Sequence, residues 1–173
     1  MEALVISGAF KPLSQPEIEA ILRFVNKGGK LSIMLHIGFP VADLLHALNV
    51  SISNGVIHEK ENIIQDNDLE FNIVNLKEHG VTDKLKQFSL YGGWALLPTK
   101  ENTQIIAQTS DKAWIDLTGD NKADAQQAFA TVVAGTMGSG QFVVFSDDAI
   151  FQNKFLKENN YLLGRNLSIW LKK

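Results

Sequence analysis

Residues 3–37 read as strand, capped helix, strand, and no other part of the chain restricts the fold as strongly. The apolar run ALVISGA (3–9) ends at a glycine and an alanine and has the length of a buried strand. In the next stretch, LSQPEIEAILRFVNKGG (13–29), Ser14 and Glu17 have the S-x-x-E spacing of a capping box, and Pro16 falls in the first turn. Ile18, Ile21, Leu22 and Val25 recur on one helical face, and Gly28-Gly29 stops the helix. KLSIMLHI (30–37) is again an apolar strand. A helix between two strands is a crossover, so the two strands are expected to pair in parallel.

Further along, PVADLLHALNV (40–50) predicts a short helix starting near Pro40 and ending near Asn49. From 51 to 130 the chain reads as short strands at 55–59, 70–75, 88–91, 94–98, 104–109 and 113–117, with Asn, Asp and Gly at the turns. FATVVAGTMGSGQFVVFSD (129–147) holds two apolar runs joined by Gly138-Ser139-Gly140, a connection short enough to demand an antiparallel hairpin. NNYLLGRNLSIWLKK (159–173) is an amphipathic helix with Leu162, Leu163, Leu167 and Trp170 on one side. No repeat and no linker interrupts this order, so residues 1–173 are expected to form one domain. The chain opens inside a strand, and either a domain excised from a longer chain or an unusually short version of one is expected.

Composition removes whole classes of chemistry. There is no cysteine, and with it go disulfides, thiolate nucleophiles and Cys-zinc sites. A net charge of −3 and no basic run with interleaved aromatics argue against nucleic acid as a partner. No apolar run approaches the ~20 residues of a membrane-spanning helix, and MEALVISGAF has no basic segment ahead of its apolar stretch, so a soluble domain without a signal peptide is expected.

The opening, LVISGAFKPLSQPEIEAILRFVNKGGKLSIMLHI, and the closing stretches, GSGQFVVFSDDAIFQN and NNYLLGRNLSIWL, together resemble the domains related to class I glutamine amidotransferases. That group includes the auxiliary component of gliding-motility-type ABC transporters and the N-terminal domain of an intraflagellar transport protein. The resemblance covers roughly 3–50 and 129–172 and implies an α/β fold: a flavodoxin-like three-layer sandwich with a mainly parallel sheet, plus the antiparallel hairpin near the C-terminus. It also implies one further strand and helix ahead of residue 3. Glutamine amidotransferases use a Cys nucleophile on a strand-to-helix elbow. This chain has neither a Cys nor a G-x-S-x-G elbow, so glutamine hydrolysis by that route is excluded.

In parallel α/β sheets ligands sit beyond the carboxyl ends of the strands. Those ends carry Ser7-Gly8, His36 with Gly38, and Ser146-Asp147-Asp148, which makes these residues the candidate ligand-binding site, with Phe10 and Phe39 as either an aromatic roof or hydrophobic staples for their helices. The adjacent carboxylates have a second reading, because Ser146 or Asp147 is a natural cap for the turn that follows. Tyr91 and Trp94 flank a Gly pair and are either a sugar, nucleotide or peptide platform or buried core. None of the four histidines has metal-site spacing, and neither GTMGSG (135–140) nor the Asp-rich turn 118–126 has the order of a phosphate or calcium loop. No metal and no cofactor is therefore expected.

The expected function is a non-catalytic binding or interaction module, auxiliary to a larger and transport-related assembly. A protein partner or a second copy is the expected binder, and a small-molecule ligand stays open. The alternative is a hydrolase in which Asp147 orients His36 as general base and Ser7 is the nucleophile.

Overall fold

The computed structural model describes residues 2–173. β1 (Ala3–Ser7), α1 (Gln15–Asn26) and β2 (Lys30–Met34) form the expected unit, and β1 pairs in parallel with β2 from Ala3 opposite Lys30 to Ser7 opposite Met34. The Ser14 N–H and hydroxyl both donate to Glu17 Oε2, at 2.8 and 2.7 Å, which closes the start of α1. A 3-10 turn at Phe39–Val41 runs into α2 (Ala42–Ala47).

Short strands follow: β3 (Val50–His58), β4 (Ile63–Ile64), β5 (Asn67–Ile73), β6 (Asn75–Leu76), β7 (Phe88–Tyr91) and β8 (Trp94–Pro98). Then come β9 (Thr103–Gln108), β10 (Trp114–Ile115), β11 (Ala125–Gln126), β12 (Ala130–Met137) and β13 (Gly140–Phe145). A 3-10 turn at Ala149–Phe151 precedes α3 (Glu158–Lys172).

The larger sheet has ten strands among the described residues, in the order β1-β2-β13-β12-β8-β3-β10-β11, with β9 beside β12 and β6 beside β9. A smaller sheet runs β4-β5-β7. Among the described residues only β1–β2 and β2–β13 pair in parallel, and all other pairs are antiparallel. The expected mainly parallel sheet is thus corrected to a mixed α/β fold whose large sheet is mostly antiparallel. The cause lies in the connections. Parallel neighbours are usually joined by a helical crossover, and from β3 to β13 no helix lies between strands among the described residues.

The layers follow from strands buried on both faces. On β13, Phe142 and Val144 join the core under α1 and α2, while Val143 and Phe145 join the core under α3 and the smaller sheet. A Cβ on Gly140 would overlap the carbonyl of Val25, so glycine lets the hairpin pass against the end of α1. No helix among the described residues is long and apolar enough to cross a membrane.

Candidate functional site

β1, β2 and β13 lie side by side and point the same way, so their carboxyl ends bring Ser7-Gly8, His36 and Ser146-Asp147-Asp148 to one end of the sheet. The two carboxylates turn in opposite directions. Asp147 is buried, with Oδ2 accepting the Tyr91 N–H and Oδ1 accepting the Ala149 N–H, both at 2.8 Å. One oxygen closes the turn after β13, and the other ties β13 to β7. Burial pushes the Asp147 pKa up to about 6, against the pull of those two N–H donors.

Asp148 faces the strand ends. Its Oδ1 lies 3.1 Å from His36 Nδ1, and its backbone N–H donates to the Leu35 carbonyl at 2.7 Å. A Cβ on Gly8 would sit 2.8 Å from Asp148 Oδ2, and Gly8 has φ of +59°, so glycine serves both the turn and the close approach of the carboxylate. The His36 ring is half-exposed and tilts against Phe10 with centroids 5.1 Å apart. The Trp94 indole N–H donates to the His36 carbonyl at 3.3 Å.

Phe10 and Phe39 are 70% and 77% exposed, and Ile37, two residues before Phe39, is exposed as well. The Leu13 N–H donates to the Pro40 carbonyl at 3.2 Å, which sets the two loops against each other. The result is one surface with an apolar rim and a His–Asp pair set in it. Such a surface can pack apolar groups and offer one polar contact at His36 Nε2, which has no partner among the described residues.

Among the described residues none of the remaining candidates hydrogen-bonds the His36 ring or the Asp148 carboxylate. Ser7 is exposed, and among the described residues its hydroxyl makes no hydrogen bond to His36 or Asp148. Ser146 is buried, and its hydroxyl has no partner among the described residues. Gly38 is buried against Ile52. The Gly92-Gly93 corner sends Tyr91 and Trp94 into different sheets, and Tyr91 stacks on Phe155 with centroids 3.8 Å apart. His36 is paired with Asp148 and not with Asp147, which already holds two backbone N–H groups. Five surface cavities of about 290–560 Å³ lie elsewhere, and none of them is lined by His36, Asp147 or Asp148.

Three polar clusters escape a reading by sequence. Buried Asn160 pairs with both backbone groups of Ser89. Buried Glu59 accepts the N–H groups of Lys60, Glu61 and Ser110 and the Ser110 hydroxyl. His58 Nδ1 lies 2.9 Å from Asp68 Oδ2, and its ring stacks on Trp114. No short-range spacing marks these contacts. In the Asp-rich turn, Asp116 and Asp124 spend their oxygens on the N–H groups of 117–119 and 121. Among the described residues no group of three or more His, Asp or Glu side chains is placed to hold a metal ion.

The family described as "Domain of unknown function (DUF4350)" matches residues 2–167. The chain belongs to this family. No curated protein matches it in sequence. Among solved structures it is similar to the mmIFT52 N-terminal domain, with 14% identity and a TM-score of 0.78 over 99% of this chain and 77% of that one. It is also similar to a ThuA-like protein from Bacteroides uniformis, with 13% identity and a TM-score of 0.61 over 98% of this chain and 69% of that one. The β-galactosidase from Rahnella sp. R3 matches with 14% identity and a TM-score of 0.61 over 99% of this chain, which spans only 23% of the enzyme. At these identities the likeness is one of fold.

Proposed function

We propose that this family member is a non-catalytic interaction module that meets a protein partner through the surface formed by Phe10, His36, Ile37 and Phe39, and that it serves as an auxiliary part of a larger, transport-related assembly. The observation that carries this reading is how the strand-end residues are used. Asp147 is spent on two backbone N–H groups and Asp148 on His36, while large aromatic side chains stand exposed around them. A hydrolase would need a nucleophile aligned with His36, and the exposed Ser7 makes no such bond among the described residues.

The transport-related part rests on the family resemblance of the two ends of the chain, and fold similarity to the mmIFT52 N-terminal domain is in keeping with it. In this reading β1, α1, β2, β13 and α3 are a reduced flavodoxin-like unit, to which the antiparallel strands are an extension.

The test places a photo-crosslinking residue at Phe10 or Phe39, with Thr118 as control, in the cell that makes the protein. One defined protein adduct at 10 and 39, absent at 118 and lost when His36→Ala and Phe10→Ser are combined, supports the reading. A parallel thermal-shift panel of metals, nucleotides, sugars and amino acids is expected to be silent. A rise of roughly 5–10 °C with one compound, abolished by His36→Ala, would instead make the surface a small-molecule site.

A further inference from the structure

Ser53, Asn54 and Gly55 lie within β3 but outside its ladder. β3 pairs with β8 through Val50, Ser51, Ile52 and Val56, and with β10 through Ile57 and His58. None of the residues between Ile52 and Val56 has a partner in either register. The facing stretch of β8 runs only from Leu96 to Trp94, so β3 carries its extra residues as a bulge. Ser53 closes this bulge locally. Its hydroxyl donates to the Gly55 carbonyl at 2.6 Å and accepts the Ala95 N–H of β8 at 3.0 Å.

Packing imposes the glycine. A Cβ on Gly55 would overlap the Asp116 carbonyl and the Ile115 side chain, where the end of β10 comes close. The residue before it, Asn54, is exposed, and among the described residues its carboxamide makes no hydrogen bond. Asn54 is the only asparagine of the chain that is followed by glycine. This pairing has a chemical consequence. A side chain on the following residue hinders its backbone nitrogen from reaching the asparagine carboxamide, and glycine has no side chain to do so. The bulge thus brings together an unbonded carboxamide, an unhindered backbone nitrogen and a stretch that the ladder does not hold.

We propose that Asn54 is a self-modification site, converted to aspartate and isoaspartate through attack by the Gly55 backbone nitrogen. That nitrogen gives its proton to hydroxide and forms a bond to Asn54 Cγ. The Cγ–Nδ2 bond breaks, and the amide nitrogen leaves as ammonia. The product is a cyclic imide, with the Gly55 nitrogen bonded to both Cγ and the backbone carbonyl carbon of residue 54. Water then opens the ring at either bond. Breaking the bond to Cγ leaves aspartate in an unaltered chain. Breaking the bond to the backbone carbonyl leaves isoaspartate, with the chain running on through Cγ. A water is consumed, an ammonia is released, and nothing is oxidised or reduced. Isoaspartate lengthens the main chain between Ser53 and Gly55 by one C–C bond, about 1.5 Å. Those two residues close the bulge with Ala95, while the pairs at Ile52 and Val56 fix the chain on either side. The added length therefore falls where the Ser53 bonds hold β3 to β8.

The folded full chain is held at pH 8 and 37 °C and sampled by peptide mass mapping. Isoaspartate is counted by methyl transfer from S-adenosylmethionine, using an isoaspartyl methyltransferase as reagent. Asn54 is expected to lose its amide before any other asparagine, with methyl-accepting isoaspartate at the same position. Asn54→Gln is expected to accept no methyl group there. As conversion proceeds the urea midpoint is expected to fall. Fresh Asn54→Asp adds the charge without lengthening the chain, and is expected to keep the wild-type midpoint. An Asn54 that stays intact in the folded chain while a peptide of residues 50–59 converts overturns the proposal, as does another asparagine that reacts first. A converted chain whose midpoint matches that of Asn54→Asp would overturn the effect assigned to the bulge.

Discussion

Asp147 and Asp148 are neighbours in sequence and opposites in environment, one turned into the protein and one turned to His36 at the strand ends. The buried one makes stability depend on pH. An unfolded aspartate titrates near 3.8, whereas Asp147 in the folded chain titrates near 6, so the folded state holds the proton more tightly between those values. The contribution is fully present below about pH 4 and is lost as pH rises to about 6; above that, the buried charge costs about 3 kcal/mol relative to the neutral acid. Asp147→Asn cannot titrate, and its amide nitrogen leaves one N–H donor without an acceptor, at a cost of about 1–3 kcal/mol. Urea unfolding is therefore expected to show the wild-type advantage shrinking from pH 4 to pH 6.5, and parallel pH profiles would refute the assignment. His36→Ala should behave differently. The His36–Asp148 pair is partly in water, so its loss is expected to change stability by less than about 1 kcal/mol, measured the same way at pH 7. The pair of carboxylates was visible in the sequence as two alternatives, cap or site. Which residue faced which way was not, because that depends on Tyr91 and His36, and both are brought there by strands far away in sequence.

At the scale of elements, the interest lies in what closes the edges. Asn160 acts as one residue of a strand, giving Ser89 both an acceptor and a donor and adding a bond to the Ile150 carbonyl. Asn160→Ala is expected to cost about 2–4 kcal/mol in urea unfolding, since it leaves buried backbone groups unpaired. A loss below about 1 kcal/mol would mean that water replaces the amide. Gly140→Ala is expected to destabilise by at least about 2 kcal/mol, because a Cβ there would overlap the backbone carbonyl of Val25. The elements with a strong local signal were legible: the Ser14–Glu17 cap, the apolar face of α1, the hairpin of β12 and β13, and α3. β4 and β11 were not, because two-residue bridges have no periodicity to read. Parallel pairing is legible in the first unit and, β13 apart, does not extend to the rest of the sheet, because from β3 to β13 no helix joins one strand to the next among the described residues.

The molecule as a whole is two cores on one sheet. Phe142, Val144, Leu31 and Ile33 belong to the core under α1 and α2, and Val143, Phe145 and Met34 belong to the core under α3 and the smaller sheet. Successive residues of β2 and β13 are thus shared between the cores, and neither core can lose its side of the sheet while the other keeps it. We infer from this that residues 1–173 unfold as one cooperative unit. Each core has its own reporter: Trp94 packs against the first and Trp170 lies in the second. Phe142→Ala and Phe145→Ala empty one core each, and each is expected to cost about 3–5 kcal/mol. In variants that keep only Trp94 or only Trp170, fluorescence should report the same urea midpoint for either tryptophan, and each Phe→Ala substitution should lower both midpoints together. A Trp170 transition that precedes the Trp94 transition, or a Phe145→Ala effect seen by Trp170 alone, would divide the chain into separately folding parts and remove the shared strands as the source of its stability.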